Sequence, residues 1–388
     1  MLIDKLEGYY SYFSQRKAGW FVLFVVLSLT GVGMVVLSSA SLSFIGIEDY
    51  LLKQLQWLAV GIPLFIAGCL IELKFLQRYC RLLLFAVAVG LVSVLIPGIG
   101  KMVNGSRRWL SFGGFNVQIS EFAKIAVIIW LSSYLEANKF RIKDFSHGFL
   151  IPLAVPGIIS ALVLMEPDYG TAILIGVLSF ALLFLAGTRL LYLMAATVGG
   201  LFVISAMICL NPTRLRRIVA FLDVDGNKLG GAYQLWQGML GFVSGGLFGR
   251  GIGQGRQQLV YLPEAHTDFI FPILSEELGS LVAIAALMLY ATFFLVTTSC
   301  ARKIGDDFQK FTAYGVSLTI ILQTLINVGV VTGLLPTKGM VLPFMSYGGS
   351  NLVSLFFMVG MVLNCFSSDL SRADAIAERT PKFSTGTM

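Results

Sequence analysis

The segment Tyr261-Leu262-Pro263-Glu264-Ala265-His266-Thr267-Asp268-Phe269-Ile270-Phe271 sets two carboxylates, an imidazole and a hydroxyl at the mouth of a long apolar run. A carboxylate held where a helix enters a bilayer is costly unless it is paired or does chemistry. Asp268 has the position and type of a general base, able to take a proton from a hydroxyl as that oxygen attacks. Glu264 and His266 stand beside it as candidate substrate contacts, and His266 is equally a plain polar loop residue.

Other polar groups punctuate an otherwise apolar chain. Asn104-Gly105-Ser106-Arg107-Arg108-Trp109 offers two guanidinium forks suited to phosphate oxygens, with an aromatic ring beside them. Glu121 and Lys124 lie three apart on one helix face, either contacting substrate or neutralising each other inside the bundle. In Met165-Glu166-Pro167-Asp168-Tyr169-Gly170-Thr171 the two acids suit a ligand, the N-terminus of the following helix, or both. Lys338 in Pro336-Thr337-Lys338-Gly339 adds a cation. Ser346 and Ser350 flank Tyr347-Gly348-Gly349, which reads as a ligand contact or a small-residue packing motif. Arg214, Arg216 and Arg217 precede a glycine-rich stretch, 245–255, that lacks the Lys-Ser or Lys-Thr of a nucleotide-binding loop and reads as a flexible connection. Taken together, one base and several cations suit a substrate with a lipid tail, a diphosphate and a polar head. The tail would lie between helices, the cations would hold the diphosphate and stabilise it as it departs, and the carboxylate would activate a sugar hydroxyl. Paired acids permit a divalent cation without requiring one.

The elements that must position these groups are membrane spans. Of 388 residues, 56% are hydrophobic and 13% charged, about half the charge content of an ordinary soluble domain. Apolar stretches of about 20 residues, the length needed to cross a bilayer, recur near 19–41, 53–71, 81–97, 119–136, 148–165, 170–187, 190–210, 269–298, 311–334 and 343–366. The fold class expected is an all-α, polytopic membrane protein of about ten transmembrane helices. Pro152 and Pro156 are expected to kink the fifth span. Glu276 and Glu277 are expected inside the eighth. Lys74, Arg78 and Arg81, then Lys139, Arg141 and Lys143, then Arg302, Lys303 and Lys310, fall on one side with both termini, which the positive-inside rule makes cytoplasmic. A short N-terminal tail (1–18), a transmembrane unit (19–366) with a large outer loop (211–268), and a polar C-terminal tail (367–388) follow. The basic outer loop 98–118, carrying Lys101, Arg107 and Arg108, breaks the rule in the way an outer anion site would. Five scattered cysteines have neither metal-ligand nor redox spacing and read as small core residues. The net charge of +7 is a membrane signature and calls for no nucleic-acid partner.

At these motifs (104–109, 166–172, 261–271, 276–279 and 327–350) the chain resembles the SEDS family (shape, elongation, division and sporulation). The match runs from the first span to about Phe366. The Glu264-Ala265-His266 and Pro336-Thr337-Lys338-Gly339 segments are similar to its division branch. The resemblance implies a ten-helix fold and a peptidoglycan glycosyltransferase polymerising lipid II, an undecaprenyl-diphosphate-linked glycan precursor, on the outer face of the bacterial plasma membrane. It implies a class B penicillin-binding transpeptidase and other division membrane proteins as partners, at the division septum. Asp268 matches the family's essential acid, and Arg107, Arg108, Glu121, Lys124 and Lys338 match its pocket. Pro272, Ser275, Asn351 and the pair Gly255-Arg256 depart from the usual pattern. Pro272 confines the start of the following helix, because proline suits only a first turn. Two alternatives of other classes are a lipid II flippase, for which Glu121, Lys124, Glu276 and Glu277 would form a polar path, and a scaffold without chemistry.

Overall fold

The computed structural model describes residues 2–42, 50–103, 106–112, 115–210, 212–257 and 266–379. In chain order the helices are α1 (Leu2–Leu42), α2 (Tyr50–Leu70), α3 (Leu73–Arg78), α4 (Cys80–Leu95), α5 (Ile119–Ala137), α6 (Ile151–Met165), α7 (Tyr169–Ala186), α8 (Leu190–Cys209), α9 (Pro212–Leu222), α10 (Tyr233–Gly245), α11 (Ile270–Leu278), α12 (Ser280–Ala301), α13 (Asp307–Val331) and α14 (Gly349–Arg379). Three strands, β1 (Gly100–Val103), β2 (Ser106–Phe112) and β3 (Phe115–Gln118), lie between α4 and α5.

Each of the ten predicted spans falls on helix. A segment in hydrocarbon must satisfy its backbone internally, and only a helix does so alone. Among the described residues, seven helices are long and apolar enough to cross a membrane, and the chain is a multi-pass membrane protein. Helix α5 carries three charged residues, Glu121, Lys124 and Glu136, yet is buried along most of its length. The main core runs through α1, α5, α7 and α11 to α14. Helices α2 and α14 pack at backbone distance. A β-carbon on Gly68 would lie 2.5 Å from the Phe357 carbonyl oxygen, and one on Gly360 would overlap that of Phe65. In lipid, where apolar surfaces gain nothing by meeting, small residues that let backbones touch are what hold helices together.

The structure departs from the sequence expectations in four places. The eighth predicted span is two helices, broken at Gly279 with φ +89°. Glu276 and Glu277 therefore sit on the nine-residue α11, ahead of the spanning helix α12. Pro272 is in the first turn of α11, as its fixed φ and missing N–H require. Residues 98–118, expected as an outer loop, contain an antiparallel sheet of order β1-β2-β3. Residues 211–268, expected as one outer loop, contain α9 and α10. Helices α1 and α14 also run further than the spans inside them, from Leu2 and to Arg379. A π-helical stretch, Ser146–Leu150, leads into α6 just ahead of Pro152.

Candidate functional site

The loop ends predicted to share the outer side meet at one end of the bundle. The His266 ring stacks on Tyr50 of α2 with centroids 3.9 Å apart, and Tyr347 sets its edge against Tyr50 at 5.1 Å. The Tyr347 N–H donates to the His266 carbonyl at 2.9 Å. Two residues on, Asp268 is half-buried. Its backbone carbonyl accepts from the Asn327 amide at 2.8 Å. Its carboxylate lies against the chain after Lys338: a β-carbon on Gly339 would stand 2.5 Å from Asp268 Oδ2. Asp268 and Lys338, distant in sequence, thus border one place.

The α6–α7 turn forms the neighbouring wall. Asp168 caps α7, accepting from the Thr171 N–H at 3.2 Å, as an acid at a helix start should. Its second oxygen accepts from Gln118 Nε2 at 3.1 Å and Ser120 Oγ at 3.4 Å. Arg108 donates from Nε to the Glu166 carbonyl at 2.9 Å and from Nη2 to the Pro167 carbonyl at 2.6 Å. Glu166 is fully buried and neither carboxyl oxygen has a hydrogen-bond partner. Burial, and then the Asp168 charge, push its carboxyl up to about 8 against a smaller opposing pull from Arg108. Burial brings the Lys338 ammonium down to about 8, with Asp168 opposing the shift and Arg108 adding to it. At pH 7 Glu166 therefore keeps its proton and Lys338 its charge.

The register of β2 slips at the arginines: Lys101 of β1 pairs with Trp109 and the next residue, Met102, with Arg107, so Arg108 is the extra residue of a bulge and the strict alternation of faces breaks there. Trp109 pairs with Lys101 on β1 and Gln118 on β3. Only Arg108 bonds to the α6–α7 turn.

Several predicted site residues act as supports. Lys124 and Glu121 are buried and paired at 2.7 Å. Glu121 also accepts from Asn351 Nδ2 at 2.7 Å and Ser354 Oγ at 3.2 Å. Lys124 donates to Gln323 Oε1 at 3.2 Å, and Gln323 Nε2 donates to the Val341 carbonyl at 3.0 Å. The buried pair therefore braces the chain that carries Lys338. Ser350 Oγ accepts from the Gln118 N–H at 2.9 Å, tying β3 to the start of α14. Ser346 Oγ accepts from the Leu342 N–H at 2.8 Å, and its carbonyl accepts from Gln54 Nε2 at 3.2 Å. Glu264, Asn104 and Gly105 lie outside the described residues. Sequence reasoning missed Tyr50, Gln54, Gln118, Gln323 and Asn327, all amides or phenols near the end of an element. Gln323 and Asn327, spaced four apart and so on one face of α13, were the legible signal.

The glycine-rich stretch also has a defined task. The N–H groups of Arg256 and Gln257 donate to the Glu276 carboxylate at 3.0 and 3.2 Å, and that of Gly253 to Glu277 at 3.0 Å. A β-carbon on Gly249 would overlap the Glu277 carbonyl. The loop cradles a carboxylate pair of its own chain. Among the described residues no group of three or more His, Cys, Asp and Glu side chains is placed to hold a metal ion. Glu166 and Asp168 share their wall with Arg108 and Lys338, a setting suited to an anion.

Comparison with known proteins agrees with this architecture. Residues 20–369 match the family model of the cell cycle proteins FtsW, RodA and SpoVE. A probable peptidoglycan glycosyltransferase FtsW from Coxiella burnetii is 38% identical over 354 residues, covering 89% of this chain and 94% of that one. A protein of the same name from Francisella salina is 35% identical over 372 residues, covering 93% and 91%. In fold, the chain superposes on a component of a solved peptidoglycan synthase complex, studied for its coordination of polymerization and crosslinking, with TM-score 0.74 at 24% identity, covering 90% of this chain and 98% of the other. The rod shape determining protein RodA of Thermus thermophilus gives TM-score 0.68 at 24% identity, covering 90% and 96%. The SEDS resemblance of the sequence motifs is borne out: the chain belongs to the FtsW, RodA and SpoVE family of cell cycle proteins.

Proposed function

We propose that this chain is a peptidoglycan glycosyltransferase that polymerises lipid II on the outer face of the plasma membrane during cell division, with a class B penicillin-binding transpeptidase as its partner. Relatives more than a third identical over about nine-tenths of the chain carry the glycosyltransferase name. The observation that carries the chemistry is the Asp268 carboxylate seated against the Lys338–Gly339 segment.

Asp268 acts as general base. It takes the proton from the 4-hydroxyl of the terminal N-acetylglucosamine of one lipid-linked glycan. That oxygen forms a bond to the anomeric carbon of N-acetylmuramic acid in a second chain. The bond from that carbon to the diphosphate breaks, and undecaprenyl diphosphate leaves with the electron pair. A single displacement inverts the anomeric centre. Lys338, with Arg107 and Trp109 of β2, binds the diphosphate, where cations held in a low-dielectric pocket stabilise the charge gathering on the leaving group. Arg108, committed to the Glu166 and Pro167 carbonyls, fixes the turn and adds its charge at longer range. Glu121, Lys124, Ser346 and Ser350 hold the surrounding loops at their positions, and His266 orients the segment that carries Asp268.

The test is glycan synthesis from labelled lipid II by full-length protein reconstituted with its transpeptidase. Asp268→Ala is expected to abolish polymer while binding lipid II and partner normally. Polymer formed at the unaltered rate would reject the assignment.

A further inference from the structure

A single buried amide links the two strands of chain that carry the acid and the cation. Asn327, near the end of α13, is 1% exposed. Its Nδ2 donates to the Asp268 carbonyl at 2.8 Å and to the Met340 carbonyl at 2.5 Å. One turn earlier on the same face, Gln323 holds the next carbonyl, that of Val341. The side chains of α13 thus grip the chain just after Lys338-Gly339 and hold Asp268 to it. The fit between the two strands is close enough that Gly339 has no room for a β-carbon: it would fall 2.5 Å from Asp268 Oδ2. Gly339 needs no unusual backbone angle, since it is absent from the residues with positive φ. What calls for glycine there is the approach of the carboxylate.

We infer that Asn327 is a positioning residue that, with the bare backbone at Gly339, fixes the distance between the Asp268 carboxylate and the Lys338 segment. The inference rests on the reading of Asp268 as the base. Asn327 touches neither substrate nor the reacting oxygen. It acts by registering two loops, and a proton acceptor displaced by an ångström loses much of its advantage in rate.

The fold supplies its own control. At the opposite end of α2, Asn364 is also buried and also bridges two backbone carbonyls, donating to Gly68 at 3.1 Å and Ile71 at 2.6 Å. Removing either amide takes the donor from one buried and one part-buried carbonyl, so a purely structural role predicts the same outcome at both positions.

The experiment measures kcat and KM for labelled lipid II, and the melting temperature, for full-length Asn327→Ala, Gly339→Ala, the double variant, Asn364→Ala and Asp268→Ala, each reconstituted with the transpeptidase. Asn327→Ala and Gly339→Ala are each expected to lower kcat about 10–100-fold with KM nearly unchanged. The double variant is expected to lose little beyond the worse single one, because both act on the same displacement. Asn364→Ala is expected to lower the melting temperature and leave kcat of the folded protein intact. Gly339 is exposed and strands no buried partner when changed, so its variant keeps the test decisive if Asn327→Ala fails to accumulate. An unaltered kcat in Gly339→Ala, losses that multiply in the double variant, or equal kcat losses in Asn327→Ala and Asn364→Ala would overturn the inference. Activity persisting in Asp268→Ala would instead overturn the reading of the base, a result separable from the other three.

Discussion

Glu166 should make the protein less stable as pH rises, and Glu166→Gln should remove that dependence. The side chain is fully buried, both carboxyl oxygens lack partners, and its carboxyl sits near 8 in place of the ordinary 4.5. Below about pH 4.5 folded and unfolded chains both hold the proton, and the residue contributes no penalty. Between about 4.5 and 8 the unfolded chain releases the proton while the folded one keeps it, so stability is lost across that window and levels off above it. At pH 7 the accumulated cost is about 3 kcal/mol. Glutamine keeps the volume and cannot ionise, but brings two N–H donors to a place where the present oxygens find nothing to bond, at a cost of about 1–3 kcal/mol. The variant should therefore be slightly more stable than wild type at neutral pH and slightly less stable in acid. Melting temperature followed by intrinsic fluorescence in detergent, from pH 5 to 9, tests this. Ionisable groups elsewhere affect both proteins alike, so the difference between the curves isolates position 166. That difference should grow up to about pH 8 and then flatten. Parallel curves would refute the reasoning and mean that Glu166 is ionised, its charge met by Arg108.

Activity should also fall above about pH 8, because Lys338 loses its proton in the range where Glu166 loses one. The wall then loses one positive charge and gains one negative charge. The KM for lipid II should rise with pH in wild type and stay flatter in Lys338→Arg, whose guanidinium does not titrate there. Gly68→Ala should destabilise by about 1–3 kcal/mol, the usual penalty for overpacking, since its β-carbon meets backbone of α14 with no side chain able to yield; thermal denaturation reads this, with kcat of the surviving protein unchanged. Glu276→Ala should free the Arg256 and Gln257 N–H groups and loosen the glycine-rich stretch, seen as faster amide hydrogen exchange across 249–257 without a matching change over α14.

The helices were legible because a bilayer leaves an apolar run of this length one way to satisfy its backbone. The break at Gly279 was not, because averaging hydropathy over a window hides a single glycine among leucines and isoleucines. Its local signal was the acid pair Glu276-Glu277 directly ahead of Leu278-Gly279, since two carboxylates deep in a span are costly. The sheet was missed because 98–118 was read for charge alone. Asn104-Gly105 and Gly113-Gly114 are the pair types that signal hairpins in a sequence. Missing the strands hid the bulge at Arg108, which shows only in the pairing of β2 with β1. Of the candidate site, the residue types and their common side were readable from loop charge. The division of labour was not: whether Arg108 grips a substrate or a carbonyl depends on which loop folds against it.

Glu276 and Glu277 also bear on transport as an alternative. A discontinuous helix with acids at its break resembles the half-helix sites at which transporters bind their cargo, and α11–α12 is such a break. The carboxylates there are already engaged. Glu276 accepts from Ser244 Oγ at 3.0 Å as well as from the N–H groups of Arg256 and Gln257, and Glu277 accepts from Ser39 Oγ at 2.5 Å and the Gly253 N–H at 3.0 Å. Ser280 and Leu281 restart the helix by donating to the Gly246 and Leu247 carbonyls. A moving diphosphate would gain nothing from two anions and would have to displace the bonds that hold the glycine-rich loop. The break is better understood as what sets α11 apart from α12: it ends the spanning helix early, so that a nine-residue helix can carry Asp268 at its entrance to the loops bearing Lys338 and Arg108. On that account Gly279→Ala, strained at φ +89° and set against the Leu247 carbonyl, should impair polymerisation as severely as a change in the acid's immediate surroundings. If instead it left glycan synthesis intact while blocking passage of lipid II across liposomes, the break would belong to a transport path.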